Sequence, residues 1–331
     1  MFLKRFAKTR APEFPLGLTW LNGKPLKMAD LRGKVVLIDF WTYSCINCQR
    51  TLPHVTRWDK TYRDKGLVVI GVHTPEFAFE KVEENVKAAI AEAGIEYSVV
   101  LDPDNKVWSL FANRYWPHKY LINKLGNIVY DHAGEGSYAQ TEHEIQKALL
   151  ESGAKDLPAI GPDDSVGGSV CYRTTPETYL GYLRGHIGNM SENLPDMEEA
   201  FTAIGEMKDD VPYLHGHWKI GSEFVEHTKT LPTPNEYLAL KYNAFSVNLV
   251  MSTTNGKTAT VIVELDGKPI PKDFAGPDVH IAKDGTAELV VKDARMYRVV
   301  NAKMYHKGTL KLKTASGNLR MFAFTFGGCV E

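Results

Sequence analysis

The stretch DFWTYSCINCQRTLP, Asp39–Pro53, carries two of the chain's four cysteines in the spacing Cys45-x-x-Cys48. Three chemistries use that spacing: half of a metal site, a structural crosslink, or a redox-active dithiol. A structural zinc site takes four ligands, usually as two pairs. The sequence holds no second Cys-x-x-Cys, and no histidine stands at metal spacing beside this one, so no metal is expected. A permanent bond between residues three apart closes too small a loop to constrain the unfolded chain much. The flanks favour the dithiol. KVVLIDFW (Lys34–Trp41) is a short, β-branched apolar run of the kind found in buried central strands, and the residues from Cys48 to Asp64 read as helix. The cysteines therefore sit where a strand ends and a helix begins. Unpaired N–H groups and the helix dipole at that point favour a thiolate at Cys45. Cys48, one turn in, is shielded yet within reach to resolve a mixed disulfide. Pro53 kinks the helix and helps to present its first turn.

Outward from this segment the first half of the chain alternates strands and helices. LVVIGVH (Leu67–His73), YSVVLD (Tyr97–Asp102), KYLINK (Lys119–Lys124) and NIVYDHAG (Asn127–Gly134) read as strands; Phe77–Ala93 and Thr141–Leu150 read as helices. The turn Lys124–Asn127 joins two strands directly, which predicts an antiparallel hairpin and hence a mixed α/β sheet. SGAKDLPAIGPDDSVGGS (Ser152–Ser169) has linker composition. It sets the expected domains at 1–152 and 170–331, with 153–169 between them. The acidic stretch Asn189–Met207 reads as surface loop and short helix. From about Trp218 short strands follow one another, separated by turns such as TNGK, LDGKP and ASGN. That pattern predicts an all-β antiparallel sandwich or jelly roll.

The net charge of −1 gives no electrostatic reason to expect nucleic acid or an anionic membrane as partner. No apolar run reaches the roughly 18 residues of a membrane helix. Phe2, Leu3 and Phe6 are too scattered for a secretory signal, so the address as written is cytoplasmic, or extracytoplasmic if an export signal has been removed. Four cysteines are too few for a disulfide scaffold; Cys171 and Cys329 flank the β region, where first and last strands can meet and pair if the protein is exported.

The segment VVLIDFWTYSCINC resembles the strand and active site of the thioredoxin superfamily, with Asp39 six residues before Cys45 as in thioredoxin. GVHTPEF (Gly71–Phe77) is similar to the TlpA/ResA-like branch, which carries an acid just after this strand, here Glu76. NRYWPHKYLI (Asn113–Ile122) resembles the segment with the family's cis-proline, here Pro117. The similarity to the thioredoxin-like C-terminal region of DipZ-type proteins covers nearly the whole chain, through TPETYLG (Thr175–Gly181) and into the β part. It implies a thioredoxin fold followed by a carbohydrate-binding-module-like jelly roll. It also implies a thiol–disulfide oxidoreductase that needs no cofactor, acts on disulfide-bearing proteins or peptides, and is recharged by an external thiol reductant. Asp39 and Glu76 would be acids beside the thiols. A carboxylate in the apolar strand at Asp39 needs either a raised pKa, which is what a proton acceptor for Cys48 requires, or a partner, as a structural aspartate has. Glu76 suits the first turn of the next helix as well. A cis bond would leave the backbone of Trp116 free to pair with substrate. Trp41, Tyr43 and Trp116 would form an apolar rim, although Trp41 is equally suited to packing under the helix. Ile46 and Asn47 add no positive charge between the cysteines, which leans towards a reductant.

Other residues carry alternatives. Thr42, three before Cys45, resembles the threonine of peroxiredoxins, but Ile38 stands where the matching proline would be. His215, His217 and His227 suit a metal or ordinary hydrogen bonding. Trp218, Tyr237, Tyr242 and Tyr297 suit a glycan-binding face or, more simply, the core. The alternatives to a disulfide reductase are a peroxiredoxin-like thiol peroxidase acting through Cys45 and a glycan- or protein-binding module that carries an accessory redox domain. A glycan or protein partner through the β domain is the remaining expectation.

Overall fold

The structure is a computed structural model that describes residues 9–161, 171–190, 195–202, 205–254 and 256–329. Two compact units, Met1–Gly167 and Gly168–Glu331, divide the chain.

The first unit is built on six strands: β1 (Trp20–Leu21), β2 (Val35–Trp41), β3 (Leu67–His73), β4 (Ser98–Leu101), β5 (His118–Ile122) and β6 (Ile128–Ala133), in the order β1-β4-β3-β2-β5-β6. The strands β2, β3 and β4 are parallel, whereas β5 and β6 run antiparallel, so the sheet is mixed as predicted. Every residue of β2 is buried, which is what its unbroken apolar run requires of a central strand. Successive side chains take opposite faces. Val35, Leu37 and Trp41 join the core made with helices α1 (Ile46–Tyr62), α2 (Glu83–Glu92) and, beyond the short α3 (Lys106–Leu110), α4 (Tyr138–Ser152). Val36, Ile38 and Phe40 face the opposite core, closed by α3 residues and by Phe14 and Met28. Helix α1 gives way to a 3-10 turn, Arg63–Lys65, and stops at Gly66, whose φ of 102° lies in the left-handed region open to glycine.

Two elements differ from expectation. The helix expected over Phe77–Ala93 is split into a 3-10 turn, Ala78–Lys81, and α2, with Val82 extended between them. The two-residue β1 is too short to leave a pattern in the sequence. The first part of the expected linker lies back on its own unit: Gly161 N–H donates to Glu142 (3.2 Å) and Gln146 Nε2 to the Pro158 carbonyl (2.7 Å). The rest, 162–170, falls outside the described residues.

The second unit is an eleven-stranded sheet whose strand pairs are antiparallel. Its spine is the pair Glu236–Thr253 and Arg295–Thr314. The first half of Glu236–Thr253 bonds Pro212–Ile220 and the second half bonds Leu319–Gly327. Val225–His227 bonds both of those neighbours, so four strands close on one another. Leu238, Leu240, Tyr242 and Ala244 point inward in strict alternation, as do Ala259, Val261, Val263 and Leu265 across the sheet. The acidic stretch expected as loop and short helix instead contains an edge strand, Glu198–Phe201, paired with Pro212–Ile220; its two adjacent glutamates hide the alternation. Residues 191–194 and 203–204 of that stretch lie outside the described residues.

Cys171 and Cys329 form a disulfide across an antiparallel bridge, with Cα atoms 4.2 Å apart and the two residues 158 positions apart in sequence. A loop of that length gives a crosslink a large effect on the unfolded chain. Replacing both cysteines by serine should lower the stability of the second unit by about 2–5 kcal/mol. Urea unfolding checks this, because excess reductant should bring the wild type onto the variant's curve and leave the variant unmoved.

Candidate functional site

Strand pairing brings the ionisable groups together. In the β2–β5 ladder Asp39 lies opposite Lys119, and in the β2–β3 ladder it lies beside Gly71. Asp39 and Lys119 are both fully buried. Neither Asp39 oxygen has a hydrogen-bond partner among the described residues. Burial pushes the Asp39 carboxyl up to about 7, with the charge of Lys119 working against the rise. Burial in turn lowers Lys119, opposed by the charges of Asp39 and Cys48. The Lys119 ammonium donates to the Gly134 carbonyl at 3.1 Å. Gly71 is needed for space: a Cβ there would stand 2.9 Å from Trp41 Nε1 and 3.1 Å from the Tyr97 ring.

Cys45 occupies the N-cap of α1 with an extended backbone, and it is partly exposed. Its carbonyl accepts the Gln49 N–H at 3.0 Å, while Gln49 Nε2 donates back to the Tyr43 carbonyl at 2.9 Å. Cys48 is fully buried, and its sulfur is not bonded to that of Cys45. Burial holds the Cys48 thiol well above its ordinary pKa, helped by the neighbouring Cys45 thiol and by the charge of Asp39. Cys45 Sγ lies 4.0 Å from the Trp116 carbonyl, and the Trp116–Pro117 peptide is cis.

Trp116 is held from two sides. Its indole N–H donates to the Thr74 carbonyl (3.0 Å), and its ring lies 4.2 Å from that of Trp108. Thr74 donates its own N–H to the Trp41 carbonyl (3.1 Å) and its hydroxyl to Asp102 (3.2 Å). Asp102 also accepts the N–H groups of Val107 and Trp108, which start α3. Trp116 is half-buried, and exposed Tyr115 and Leu110 lie in the same part of the chain.

Trp41 and Tyr43, expected on the rim with Trp116, are instead buried in the core with Cys48 and Trp58. Trp41 shares a face of β2 with Leu37 and so turns under α1; Tyr43 stacks on His73 at 5.7 Å. Burial lowers His73 to about 3, which keeps that ring neutral. Glu76 is half-buried. The enclosed carboxylate of this turn is Glu80, which is 1% exposed. It accepts Ser44 Oγ (2.6 Å), Ser44 N–H (3.3 Å), Glu76 N–H (2.6 Å) and Phe77 N–H (3.0 Å). The Thr42 hydroxyl is near enough to favour the ionised Glu80 but lies outside hydrogen-bond geometry. Burial nonetheless raises Glu80 above the ordinary glutamate range.

Lys119 and Glu80 escape a reading of the sequence. A lysine two residues beyond Pro117, followed by Tyr120, Leu121 and Ile122 in a buried strand, is a signal for the first. The second reaches back from the third position of its turn to the Phe77 N–H, but with Phe at the cap the usual Ser/Thr signature of a capping box is missing.

In the second unit Glu236 gathers the histidines. It accepts His217 Nδ1 (2.7 Å), His217 N–H (2.6 Å) and His227 Nε2 (2.9 Å). Burial works to raise Glu236, but these donors outweigh it and hold the carboxyl below its ordinary value. His215 lies against the Tyr237 ring at 4.9 Å. No group of three or more His, Cys, Asp or Glu among the described residues is placed to hold a metal ion. Trp218, Tyr242 and Tyr297 are buried core residues, and half-buried Tyr237 has Lys311 Nζ 4.4 Å above its ring.

Two family models match the chain, the AhpC/TSA family over residues 7–131 and the thioredoxin-like C-terminal domain over residues 175–327. Protein DipZ of Mycobacterium bovis is 36% identical over 319 residues, covering 94% of this chain and 42% of DipZ; the chain thus spans less than half of that relative. The thiol-disulfide oxidoreductase YkuV of Bacillus subtilis is 29% identical over 43% of this chain and 95% of its own length. ResA of Bacillus cereus, another thiol-disulfide oxidoreductase, is 29% identical over 41% of this chain and 75% of its own length. With a Cys-x-x-Cys at the N-cap of α1, a buried acid beneath it and a cis-proline beside it, the chain belongs to the TlpA/ResA-like branch of the thioredoxin superfamily, and its second, all-β unit falls in the region matched by the thioredoxin-like C-terminal domain and aligned with DipZ.

Proposed function

We propose that the chain reduces disulfides in proteins or peptides. Cys45, as thiolate, attacks one sulfur of the substrate; the substrate S–S bond breaks, one substrate thiolate leaves, and a mixed disulfide forms on Cys45. Cys48 gives its proton to Asp39 and attacks the Cys45 sulfur. The second substrate thiolate leaves and takes up a proton. Two electrons pass from the dithiol to the substrate, and the dithiol ends as a Cys45–Cys48 disulfide that an external thiol reductant restores. The observation that carries this reading is the enclosure of Cys48 with Asp39, whose carboxyl sits near 7 and is therefore able both to take and to return a proton at neutral pH. Ile46 and Asn47 add no positive charge to the site, which supports the reducing direction. The Trp116 carbonyl beside Cys45, with Pro117 next in the chain, supports a substrate groove at that place. Glu76 has no step in this cycle.

The Cys171–Cys329 bond supports an oxidising, extracytoplasmic compartment rather than the cytoplasmic address suggested by the N-terminal residues. No helix among the described residues is long and apolar enough to cross a membrane. We read the second unit as a jelly-roll-like module that recruits a protein partner, since Trp218, Tyr242 and Tyr297, three of the rings suited to stacking on a sugar, are buried in its core.

Incubated with a disulfide-bonded peptide, C48S should accumulate a mixed disulfide through Cys45, visible by mass, whereas C45S should form none. Rapid peroxide consumption by the wild type together with slow peptide reduction would favour a peroxidase instead. D39N should slow release of the reduced peptide by about 10²-fold at pH 7, measured by single-turnover quench.

The raised Asp39 pKa also fixes a sign for stability. Between the unfolded value of 3.8 and the folded value of about 7 the native state holds the extra proton, so stability falls as pH rises through that window. The stability of D39N relative to wild type should therefore grow by about 2–4 kcal/mol from pH 4 to pH 7 and level off above it. Denaturant titrations at three pH values read this directly.

A further inference from the structure

Glu80 joins the two walls of the site, and nothing in the dithiol chemistry above uses it. One of its oxygens accepts both donors of Ser44, the residue immediately before Cys45; the other accepts the N–H groups of Glu76 and Phe77. The turn that holds Glu76 and Phe77 begins at Thr74, whose carbonyl receives the Trp116 indole. The Trp116 carbonyl returns to Cys45 Sγ at 4.0 Å. A closed circuit thus runs from Cys45 through Ser44, Glu80, the 74–77 turn and Trp116 back to the sulfur.

We propose that Glu80 is a positioning residue, whose buried carboxylate clamps the segment before Cys45 to the turn that carries Trp116 and so fixes the attacking sulfur against the substrate groove. This rests on the reading of Cys45 as the nucleophile. A carboxylate suits the role because four donors converge on two acceptor-only oxygens. Glutamine cannot replace it fully: an amide aimed at Ser44 takes the acceptor from the Ser44 N–H, and one aimed at the turn opposes two N–H groups. The carboxylate touches neither thiol, so it acts on placement rather than on the reactivity of the sulfur.

The test compares wild type, E80Q and E80A, with E80Q retaining side-chain volume should E80A fold poorly. Three quantities are measured on each: kcat/KM for a disulfide-bonded peptide, the alkylation rate of Cys45 by iodoacetamide, and amide hydrogen exchange at Ser44, Glu76 and Phe77. Peptide reduction should fall about tenfold in E80A and about fivefold in E80Q. Alkylation, which needs no groove, should stay within twofold, and exchange at the three amides should rise. In an S44A background E80A should cost less than it does alone, as expected for residues acting as a unit. The clamp is overturned if a folded E80Q or E80A reduces the peptide within twofold of wild type, or if alkylation falls in step with reduction. If the wild type itself reduces no disulfide, the nucleophile reading falls. The clamp is then judged on exchange alone, and unchanged protection in E80A overturns it.

Discussion

A carboxylate shut between two strands, with no hydrogen-bond donor among the described residues, is the constraint on which the first unit turns. Ionised, Asp39 would be strongly disfavoured in such surroundings. Two features make it tolerable. Its folded pKa near 7 leaves it largely neutral below that pH, and Lys119 across the β5 ladder offers an opposite charge when it ionises. The apolar residues beside it along β2 supply the compensating stability: Leu37 on its own face and Ile38 and Phe40 on the other are each fully buried, at roughly 1.5–3 kcal/mol apiece. The same enclosure raises the Cys48 thiol, so one desolvated pocket sets the proton affinities of two groups that must exchange a proton. Stability and chemistry are coupled here through the dielectric of a single strand interior.

Much of this was legible in the sequence, because the signals are local. The β-branched run of β2, the helix after Cys48 and the hairpin at Lys124–Asn127 all rest on periodicities and turn residues within a dozen positions. Asp39 announced itself as a charge inside an apolar strand. What could not be read depends on register or on the path of a turn. Lys119 meets Asp39 only through the pairing of strands 80 residues apart in sequence. Of the two acids in PEFAFE, the enclosed one is decided by a 3-10 turn that folds Glu80 back onto the Phe77 N–H. Trp41 was ambiguous until the face it shares with Leu37 was known, and that face is the core under α1.

The second unit shows the opposite balance. Its all-β character was plain from the strand runs and turns, but the runs read as separate short strands join into the long strands Glu236–Thr253 and Arg295–Thr314, and its polar details were not legible. Pro212–Ile220 bonds Glu236–Thr253 through His215 and then Val225–His227 from Trp218, leaving Gly216 and His217 at the change of neighbour. Glu236 supplies an acceptor to the His217 N–H there and orders both imidazoles in doing so. Histidines that look like ligands in sequence thus serve a backbone irregularity.

The disulfide has a consequence for architecture as well as for stability. Because Cys171 and Cys329 stand side by side, the second unit begins and ends at one spot on its surface. A module whose entry and exit coincide is a cassette: it can be inserted between two segments of a host chain without forcing them apart, or hung from a single tether. The crosslink also makes the cassette a covalently closed ring, so a cut in one of its loops would leave its ends joined and its position in the larger chain unchanged.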